Sequence, residues 1–268
     1  MKIVTVINDP GHPGFNLLRL SCIINQLEMV VLVHAGASFP SNRIKDQLLL
    51  SYLVRAVPDD ELIFFTDGND AVMLAGEEEI VAKFESMGKE LVFSAEAGCW
   101  PDSSLASEYP PSNSPFRFLN SGGFVGRCGV IKNLLAVNPV AGDRFPESNQ
   151  YVWTKRFFDN QHLVGLDTAC EIFHTFSPPF GEDAPASGIE RNTVAYYHNL
   201  KQWFAKNFMV EQGRLYSCLA GTRPAQAHFN GASKWLMDVD LIDMVFSKVA
   251  SSRQTAFIYE HDRSSQSG

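Results

Sequence analysis

The stretch ELIFFTDGNDAVML, from Glu61 to Leu74, constrains the fold more than any other part of the chain. An apolar run from Leu62 to Phe65 ends at Asp67-Gly68-Asn69-Asp70, and a second apolar run begins at Ala71. This pattern predicts a buried strand with a tight turn at its carboxyl end, which is where ligands bind in open α/β sheets.

The two carboxylates of this turn have two explanations. Mg²⁺ and Mn²⁺ prefer oxygen ligands and readily share a site with substrate phosphates, so Asp67 and Asp70 are candidate metal ligands. Asp, Gly and Asn are also the residues that form turns most readily, and the same residues fit an ordinary turn. The turn alone does not decide between these explanations.

Strands and helices alternate before Ala95. Strands are predicted at Lys2–Asn8, Met29–His34 and Leu91–Ser94, with a further strand that ends at the aspartate turn, and helices are predicted at Gly14–Gln26, Ser41–Arg55 and Glu77–Met87. Because two strands joined by a helical crossover lie parallel, this order predicts a Rossmann-like half built on a parallel sheet.

The pattern is less regular after Ala95. Helices are predicted at Val130–Val137, Asn149–Phe158 and Trp235–Val249, and strands at Leu163–Leu166, Ile172–Phe176, Thr193–Tyr197 and Ala225–Phe229. Ser177–Gly188 is rich in Pro and Gly and is predicted to be a loop, and the Ser-rich tail from His261 is predicted to be disordered.

Composition excludes some classes of protein. The 268 residues include 30 acidic and 22 basic side chains, and the formal charge of −8 argues against a nucleic-acid-binding surface. No apolar run reaches the roughly 18 residues of a membrane span. The five cysteines form no C-x-x-C pair, which favours reduced thiols. Since the first residues already resemble a strand, we expect no signal peptide and a cytosolic protein.

Two further segments carry candidate ligand-binding groups. Asn120-Ser121-Gly122-Gly123 combines an amide and a hydroxyl with two glycines, so it is either a sugar-binding loop or an ordinary turn. In the segment from His228 to Trp235, the imidazole of His228 can complete a metal site, Gly231 allows backbone approach, and Lys234 supplies a charge for a phosphate. Together with the aspartate turn, these groups suit a metal-bound nucleoside diphosphate sugar.

The sequence resembles a known family at these segments. FTDGNDAVMLAG, LVFSAEAGCWPD followed by LASEYP, and RFLNSGGFVG are similar to the glycosyltransferase domain of the multifunctional procollagen lysyl hydroxylases. The pattern HxxGxxK from His228 to Lys234 is shared with metal-dependent retaining glycosyltransferases of the glycogenin type. The resemblance covers Lys2–Trp235 and is strongest over Leu62–Gly126.

The resemblance implies a GT-A fold, an α/β architecture in which helices flank a mostly parallel, Rossmann-like central sheet. It also implies a UDP-sugar donor and Mn²⁺, or Mg²⁺ in its place. We expect one domain over residues 1–260, with a nucleotide-binding half at 1–95, a sugar and acceptor half at 96–250, and a tail at 261–268.

The resemblance also assigns roles to individual residues. Asp67 and Asp70 match the metal-binding acids, and His228 matches the third protein ligand. The cofactor side would be formed by Thr5, Val6, Lys45, Asn69, Gly231 and Lys234, with Phe39 as a candidate to stack on uracil. The catalytic, sugar and acceptor side would be formed by Glu96, Trp100, Asn120 and Asn149.

One segment departs from the family pattern. The family carries a run of aspartates before a glutamine that matches Gln150, whereas this chain has Glu147-Ser148-Asn149. Either another carboxylate serves, with Glu96, Glu147 and Asp167 as candidates, or activity is altered or lost. A retaining reaction can proceed without a strong protein base, whereas an inverting one requires a general base, so the stereochemistry stays open.

The sequence therefore predicts a glycosyltransferase that moves a hexose from a UDP-sugar to a glycan or hydroxylated peptide acceptor. Because no iron- and oxoglutarate-binding domain follows, we expect a stand-alone transferase. One alternative is a non-catalytic nucleotide-sugar-binding protein, and another is a metal-dependent nucleotidyltransferase. The sequence does not predict the oligomeric state.

Overall fold

A computed structural model describes residues 1–137, 144–176, 194–211 and 214–237. The strands are β1 (Lys2–Ile7), β2 (Met29–Val33), β3 (Leu62–Asp67), β4 (Ala71–Met73), β5 (Leu91–Glu96), β6 (Phe118–Arg127), β7 (Val164–Asp167), β8 (Phe173–Thr175), β9 (Phe208–Glu211), β10 (Arg214–Ser217) and β11 (Gln226–His228). The α-helices are α1 (Pro13–Ile24), α2 (Arg43–Ala56), α3 (Glu77–Ser86), α4 (Cys128–Ala136), α5 (Asn149–Asp159) and α6 (Val194–Asn207). Short 3-10 helices cover Ser103–Ser107 and Gly231–Met237.

The central sheet has six strands in the order β2-β1-β3-β6-β5-β7. Strand β6 is antiparallel to β3 and β5, and the other neighbouring pairs are parallel. The predicted α/β class, with a mostly parallel central sheet flanked by helices as the GT-A resemblance implies, is confirmed.

Apolar side chains cover both faces of this sheet. Because successive strand residues point to opposite faces, Val4 packs with α2, α4 and α5, while Ile3 packs with α1 and α3. All five cysteines are free thiols. In the described part of the chain, no helix has both the length and the apolar character needed to cross a bilayer.

A second, three-stranded sheet has the order β4-β11-β8. Strand β4 follows the aspartate turn directly, and β11 pairs antiparallel with it so that His228 lies opposite Ala71. The backbone N–H of Phe229 donates to the carbonyl of Asp70 at 2.7 Å. This small sheet therefore brings a residue from late in the chain to the aspartate turn.

The structure corrects two predictions of secondary structure. Asn120–Gly123 is neither a loop nor a turn, because it lies within β6, where Gly123 pairs with β3, Asn120 pairs with β5, and the register with β5 shifts between them. The strand predicted at Thr193–Tyr197 is wrong for its described residues, because α6 begins at Val194 and buries Tyr196, Leu200 and Phe204 at helical spacing. The predicted loop at Ser177–Gly188, the tail from His261 and most of the predicted helix at Trp235–Val249 lie outside the described residues.

His174 is a fully buried histidine at the centre of an aromatic cluster. Its Nδ1 lies 2.9 Å from the carbonyl oxygen of Thr175, and its Nε2 lies 2.9 Å from Oγ of Ser217. Its ring also packs against Phe116 and Phe208. Burial lowers the pKa of His174 from 6.5 to about 4, so the folded protein holds the ring neutral.

This depressed pKa predicts acid destabilisation between pH 6.5 and 4. As the pH falls through this window, the unfolded chain binds a proton that the folded chain does not, which removes up to about 3 kcal/mol from the free energy of unfolding. We expect His174→Gln to show a shallower loss of stability than the wild type in urea titrations across this window. The same change at exposed His162 is the control. Parallel pH profiles for wild type and His174→Gln would contradict the assignment.

Candidate active site

The aspartate turn is held between β1 and the start of α1 by two glycines. A Cβ at Gly68 would lie 2.4 Å from Cγ2 of Ile7, and a Cβ at Gly14 would lie 1.8 Å from the carbonyl oxygen of Asn69. Larger residues at either position would displace the turn. The close packing therefore fixes Asp67, at the end of β3, and Asp70, immediately before β4.

The side chain of His228 reaches both carboxylates. Its Nε2 lies 3.4 Å from Oδ1 of Asp70 and 3.8 Å from Oδ2 of Asp67. One potential ligand atom from each of the three residues lies within 4.8 Å of the others. This arrangement brings together the three residues that the sequence predicts as metal ligands.

Two lysines bind the outer oxygens of the same carboxylates. Nζ of Lys45 lies 2.5 Å from Oδ1 of Asp67, and Nζ of Lys234 lies 3.0 Å from Oδ2 of Asp70. Each aspartate therefore directs one oxygen to a lysine and the other towards His228. The lysines fix the carboxylates and leave one oxygen of each for a cation.

Gly122, in the middle of β6, lies directly against this group. A Cβ there would lie 2.2 Å from Cε1 of His228 and 2.9 Å from Oδ2 of Asp67. The Nδ1 atom of His228 is buried and has no hydrogen-bond partner among the described residues. The cradle left by the glycine, the buried imidazole and the two carboxylate oxygens fit a divalent cation.

The charges in this group are strongly coupled. Burial lowers the pKa of His228, but the adjacent carboxylates of Asp70 and Asp67 raise it by more, and the net shift is upward. Burial raises the pKa of Asp70, but His228 and Lys234 lower it by more, and the net shift is downward. A divalent cation would take the place of the proton that these charges favour on His228.

These residues line a cavity of about 240 Å³. Of the residues predicted for the site, those that line it are Lys45, Asp67, Asp70, Glu96, Trp100, Asn120, Asn149, His228 and Gly231. Asn42, Ser121, Gly122, Gln150 and Asn230 line it as well. The predicted metal ligands, the predicted sugar and acceptor residues, and two of the predicted nucleotide residues, Lys45 and Gly231, thus lie around one space.

Several predicted residues do not line the cavity. Thr5 and Val6 are buried in β1, where the hydroxyl of Thr5 donates to the carbonyl of Thr66 at 2.8 Å. Asn69 faces α1 with its backbone, and Lys234 contacts the site through Asp70. Phe39 also lies outside the lining, with Nζ of Lys45 6.0 Å from its ring centroid. The roles assigned to these residues stay predictions.

Glu96 is a third carboxylate that lines the cavity, besides Asp67 and Asp70. It accepts hydrogen bonds from Nε2 of Gln150 at 2.6 Å and from Nδ2 of Asn230 at 2.7 Å. Burial raises its pKa against the effect of these donors. The Gln150 side chain also donates to the carbonyl of Trp100 and accepts from the backbone N–H of Ser121. Its amide therefore connects Glu96 to two other residues that line the cavity.

The structure separates the three carboxylates considered as substitutes for the family's aspartates. Glu147 is exposed and does not line the cavity. Asp167 is buried, and its carboxylate accepts backbone N–H groups from 171–173. Glu96 alone of the three lines the cavity. Asn149 lines it too and accepts a hydrogen bond from Oγ of Ser121 at 3.3 Å.

Sequence reasoning did not assign Asn42 to the site or identify the bridging role of Gln150. Asn42 immediately precedes α2, three residues before Lys45, and nothing in its local pattern marks it. Asn230 belongs to the motif that begins at His228. It directly follows the predicted strand Ala225–Phe229, and this position could have identified it as a site residue.

The chain is similar to several known proteins. The chain is 40% identical over 242 residues to procollagen-lysine,2-oxoglutarate 5-dioxygenase of Drosophila melanogaster, an alignment that covers 87% of this chain and 31% of that protein. It is 27% identical over 195 residues to an uncharacterized protein of Acanthamoeba polyphaga mimivirus, covering 72% of this chain and 36% of that one. The chain thus spans about a third of the length of these relatives.

A solved structure described as a glycosyltransferase involved in the glycosylation of the major capsid of PBCV-1 shows a TM-score of 0.48 at 10% sequence identity. That alignment covers 89% of this chain and 98% of the other. The family model described as PLOD GT domain matches residues 41–201, a range that includes the aspartate turn, Glu96 and Asn149. The chain therefore belongs to the family of PLOD glycosyltransferase domains.

Proposed function

We propose that this chain is a metal-dependent glycosyltransferase that moves a hexose from a UDP-sugar to a glycan or hydroxylated peptide acceptor. Family membership supports the reaction class. The observation that carries the rest is the convergence of Asp67, Asp70 and His228 on the cavity that also holds Glu96 and Asn149.

The aspartate side of the cavity would bind the diphosphate of the donor. Mn²⁺ or Mg²⁺ held by Asp67, Asp70 and His228 would act as a Lewis acid that neutralises the leaving diphosphate. Lys45 and Lys234 place two ammonium groups beside the same carboxylates, where they would share the negative charge of the phosphates. The residues bind and orient the donor before the glycosidic bond breaks.

The Glu96 side of the cavity would bind the sugar and the acceptor. Gln150 and Asn230 hold the Glu96 carboxylate in one orientation, so it is available to accept a hydrogen bond from a sugar or acceptor hydroxyl. Its raised pKa makes it a better proton acceptor than an ordinary glutamate. Asn120 and Asn149 add neutral hydrogen-bonding groups, and half-exposed Trp100 forms an apolar rim.

Asn149 also supports a rival, a non-catalytic protein that binds nucleotide-sugars. An amide cannot act as a base, so the site would bind a donor without transferring its sugar. A nucleotidyltransferase would use similar metal ligands but would release pyrophosphate. The identity of the acceptor and a cytosolic location stay predictions from the sequence.

The metal-dependent donor site predicts that UDP binding requires both the cation and Asp70. In isothermal titration calorimetry, we expect wild-type protein to bind UDP with Mn²⁺ present and much more weakly without it. Asp70→Asn removes one ligand charge and is expected to weaken Mn²⁺-dependent binding at least about tenfold. Asp60→Asn, at an exposed position, is the matched control. Metal-independent binding of UDP to the wild type, or no binding, would reject this part of the proposal.

The cradle at Gly122 predicts that a single methyl group disrupts the site. In Gly122→Ala, the new Cβ overlaps the His228 ring, so we expect the free energy of unfolding to fall by about 1–3 kcal/mol and Mn²⁺ affinity to fall with it. Gly76→Ala is the matched control, because a Cβ there meets Asn25 at an ordinary 3.4 Å. Urea unfolding and Mn²⁺ titration measure both effects, and a Gly122→Ala protein with unchanged Mn²⁺ affinity would contradict the cradle.

The position of Glu96 predicts that it supports transfer more than donor binding. We expect Glu96→Gln to retain UDP affinity within a few-fold and to lose roughly 100-fold in the rate of UDP release from UDP-glucose, UDP-galactose or UDP-xylose. Glu147→Gln, at the exposed carboxylate, is expected to match the wild type. Wild-type protein that binds a UDP-sugar but releases no UDP with any donor and acceptor would favour the non-catalytic rival.

A further inference from the structure

A groove of about 550 Å³ lies beside β7 and shares no lining residue with the cavity described above. One wall is β7 itself, the outermost strand at its end of the central sheet, and the other is the segment 110–114. We call this space the β7 groove. We propose that it binds an extended, acidic segment of a polypeptide partner, which adds to the central sheet alongside β7.

The outer edge of β7 offers backbone hydrogen-bonding groups that a neighbouring strand could use. In a parallel ladder, alternate residues bond to the same neighbour. The N–H of Leu91 in β5 donates to the carbonyl of Leu163 at 3.3 Å, so Leu163 and Gly165 face β5, and Val164 and Leu166 are directed outwards. The N–H of Val164 donates to Asn160, and the carbonyl of Leu166 accepts from Thr168. The carbonyl of Val164 and the N–H of Leu166 therefore remain for an added chain among the described residues.

The opposite wall is already ordered. Pro110 and Pro111 restrict the backbone, Oγ of Ser112 accepts from the N–H of Ser114 at 3.1 Å, and Oγ of Ser114 accepts from the N–H of Phe116 at 3.1 Å. The fully buried ring of Phe116 anchors this segment to the core. A partner would therefore bind a preformed groove and lose less conformational entropy than if the wall had to fold.

The charge of the β7 groove selects an acidic occupant. Its lining contains Lys89 and Arg117 but no carboxylate, although the whole protein carries a net charge of −8. Nζ of Lys89 donates to the carbonyl of Gln161 at 2.7 Å, and Arg117 donates to the carbonyls of Ala106 and Tyr109. These carbonyls position the two cations without neutralising them, and neither cation forms a salt bridge within the described ranges, so an anionic partner would meet two positive charges.

A peptide fits these features better than a free anion or a glycan. A strand that pairs with β7 would use the two backbone groups directly and would place alternate side chains against Pro110, Pro111 and Leu166. Its acidic side chains would face Lys89 and Arg117. The proposal does not depend on sugar transfer. The groove is nevertheless close to the cavity, because the N–H of Arg117 donates at 3.2 Å to the carbonyl of Glu96, the last residue of β5.

Fluorescence anisotropy with designed peptides tests this proposal on the full chain. The probe is a short fluorescein-labelled peptide of alternating Glu and Val, and the comparison peptides are alternating Lys and Val, and the Glu-Val peptide with N-methylated backbone amides. We expect the Glu-Val peptide to bind, the Lys-Val peptide not to bind, and N-methylation to remove most of the affinity. Equal binding of both charge types, or no binding of the Glu-Val peptide, would overturn the proposal.

Variants locate the binding site. Lys89→Glu reverses one charge at a partly exposed position and is expected to weaken binding of the Glu-Val peptide roughly tenfold. Lys206→Glu makes the same change at an exposed position of α6 and is the control. Equal losses of peptide affinity in the two variants would show a non-specific charge effect and overturn the proposal. Displacement of the peptide by inorganic phosphate or a sulfated oligosaccharide at equal concentration would also overturn it.

Donor binding separates this proposal from the proposed function. We expect Lys89→Glu to bind UDP with Mn²⁺ as the wild type does, because Lys89 does not line the cavity. Hydrogen exchange should slow in the segments 110–117 and 163–169 when the Glu-Val peptide is added. Slowing confined to other segments would overturn the assignment to the β7 groove, whatever the result with UDP.

Discussion

The pairing of β11 with β4 is the interaction on which the site depends. It sets His228 opposite Ala71, and the adjacent bond from the N–H of Phe229 to the carbonyl of Asp70 fixes the distance between the two chain segments. Side chains alternate along a strand, so a slip of one residue would turn the imidazole to the opposite face of the small sheet. The register of two three-residue strands thus determines whether the turn's acids and the imidazole meet.

Close packing by small residues supports this register. Gly14 lets α1 press against the backbone of the aspartate turn, and Gly122 lets β6 pass beneath the His228 ring. The site also balances its charges, because Lys45 and Lys234 each bind the outer oxygen of an aspartate. A buried group of carboxylates would otherwise repel itself, so the lysines stabilise the arrangement before any ligand binds. One oxygen of each aspartate is directed towards His228, and the proposed cation would bind there.

The sequence predicted local features well and long-range contacts poorly. Apolar periodicity located the alternating strands and helices up to β5, and the spacing of Asp67 and Asp70 identified the turn, because both depend on neighbouring residues. The contact of His228 with that turn was predicted from family resemblance, since pairing between strands that are far apart in the sequence leaves no local pattern. Asn120–Gly123 was predicted to be a sugar-binding loop or an ordinary turn because Gly and Ser favour turns locally, whereas pairing with β3 at Gly123 and with β5 at Asn120 includes the segment in a strand.

The neutral side chain at Asn149 limits what the cavity can do. Asn149 is the first residue of α5, whose amino end carries a partial positive charge, so a carboxylate there would be stabilised by the helix and would face the cavity. With an amide in that place, the helix end attracts anionic groups but supplies no base. Asp67 and Asp70 are engaged by lysines, so Glu96 is the remaining carboxylate among the described residues that line the cavity. In the proposed transfer, the proton of an acceptor hydroxyl would go to Glu96 or to the departing phosphate, and only the second route works without a protein base.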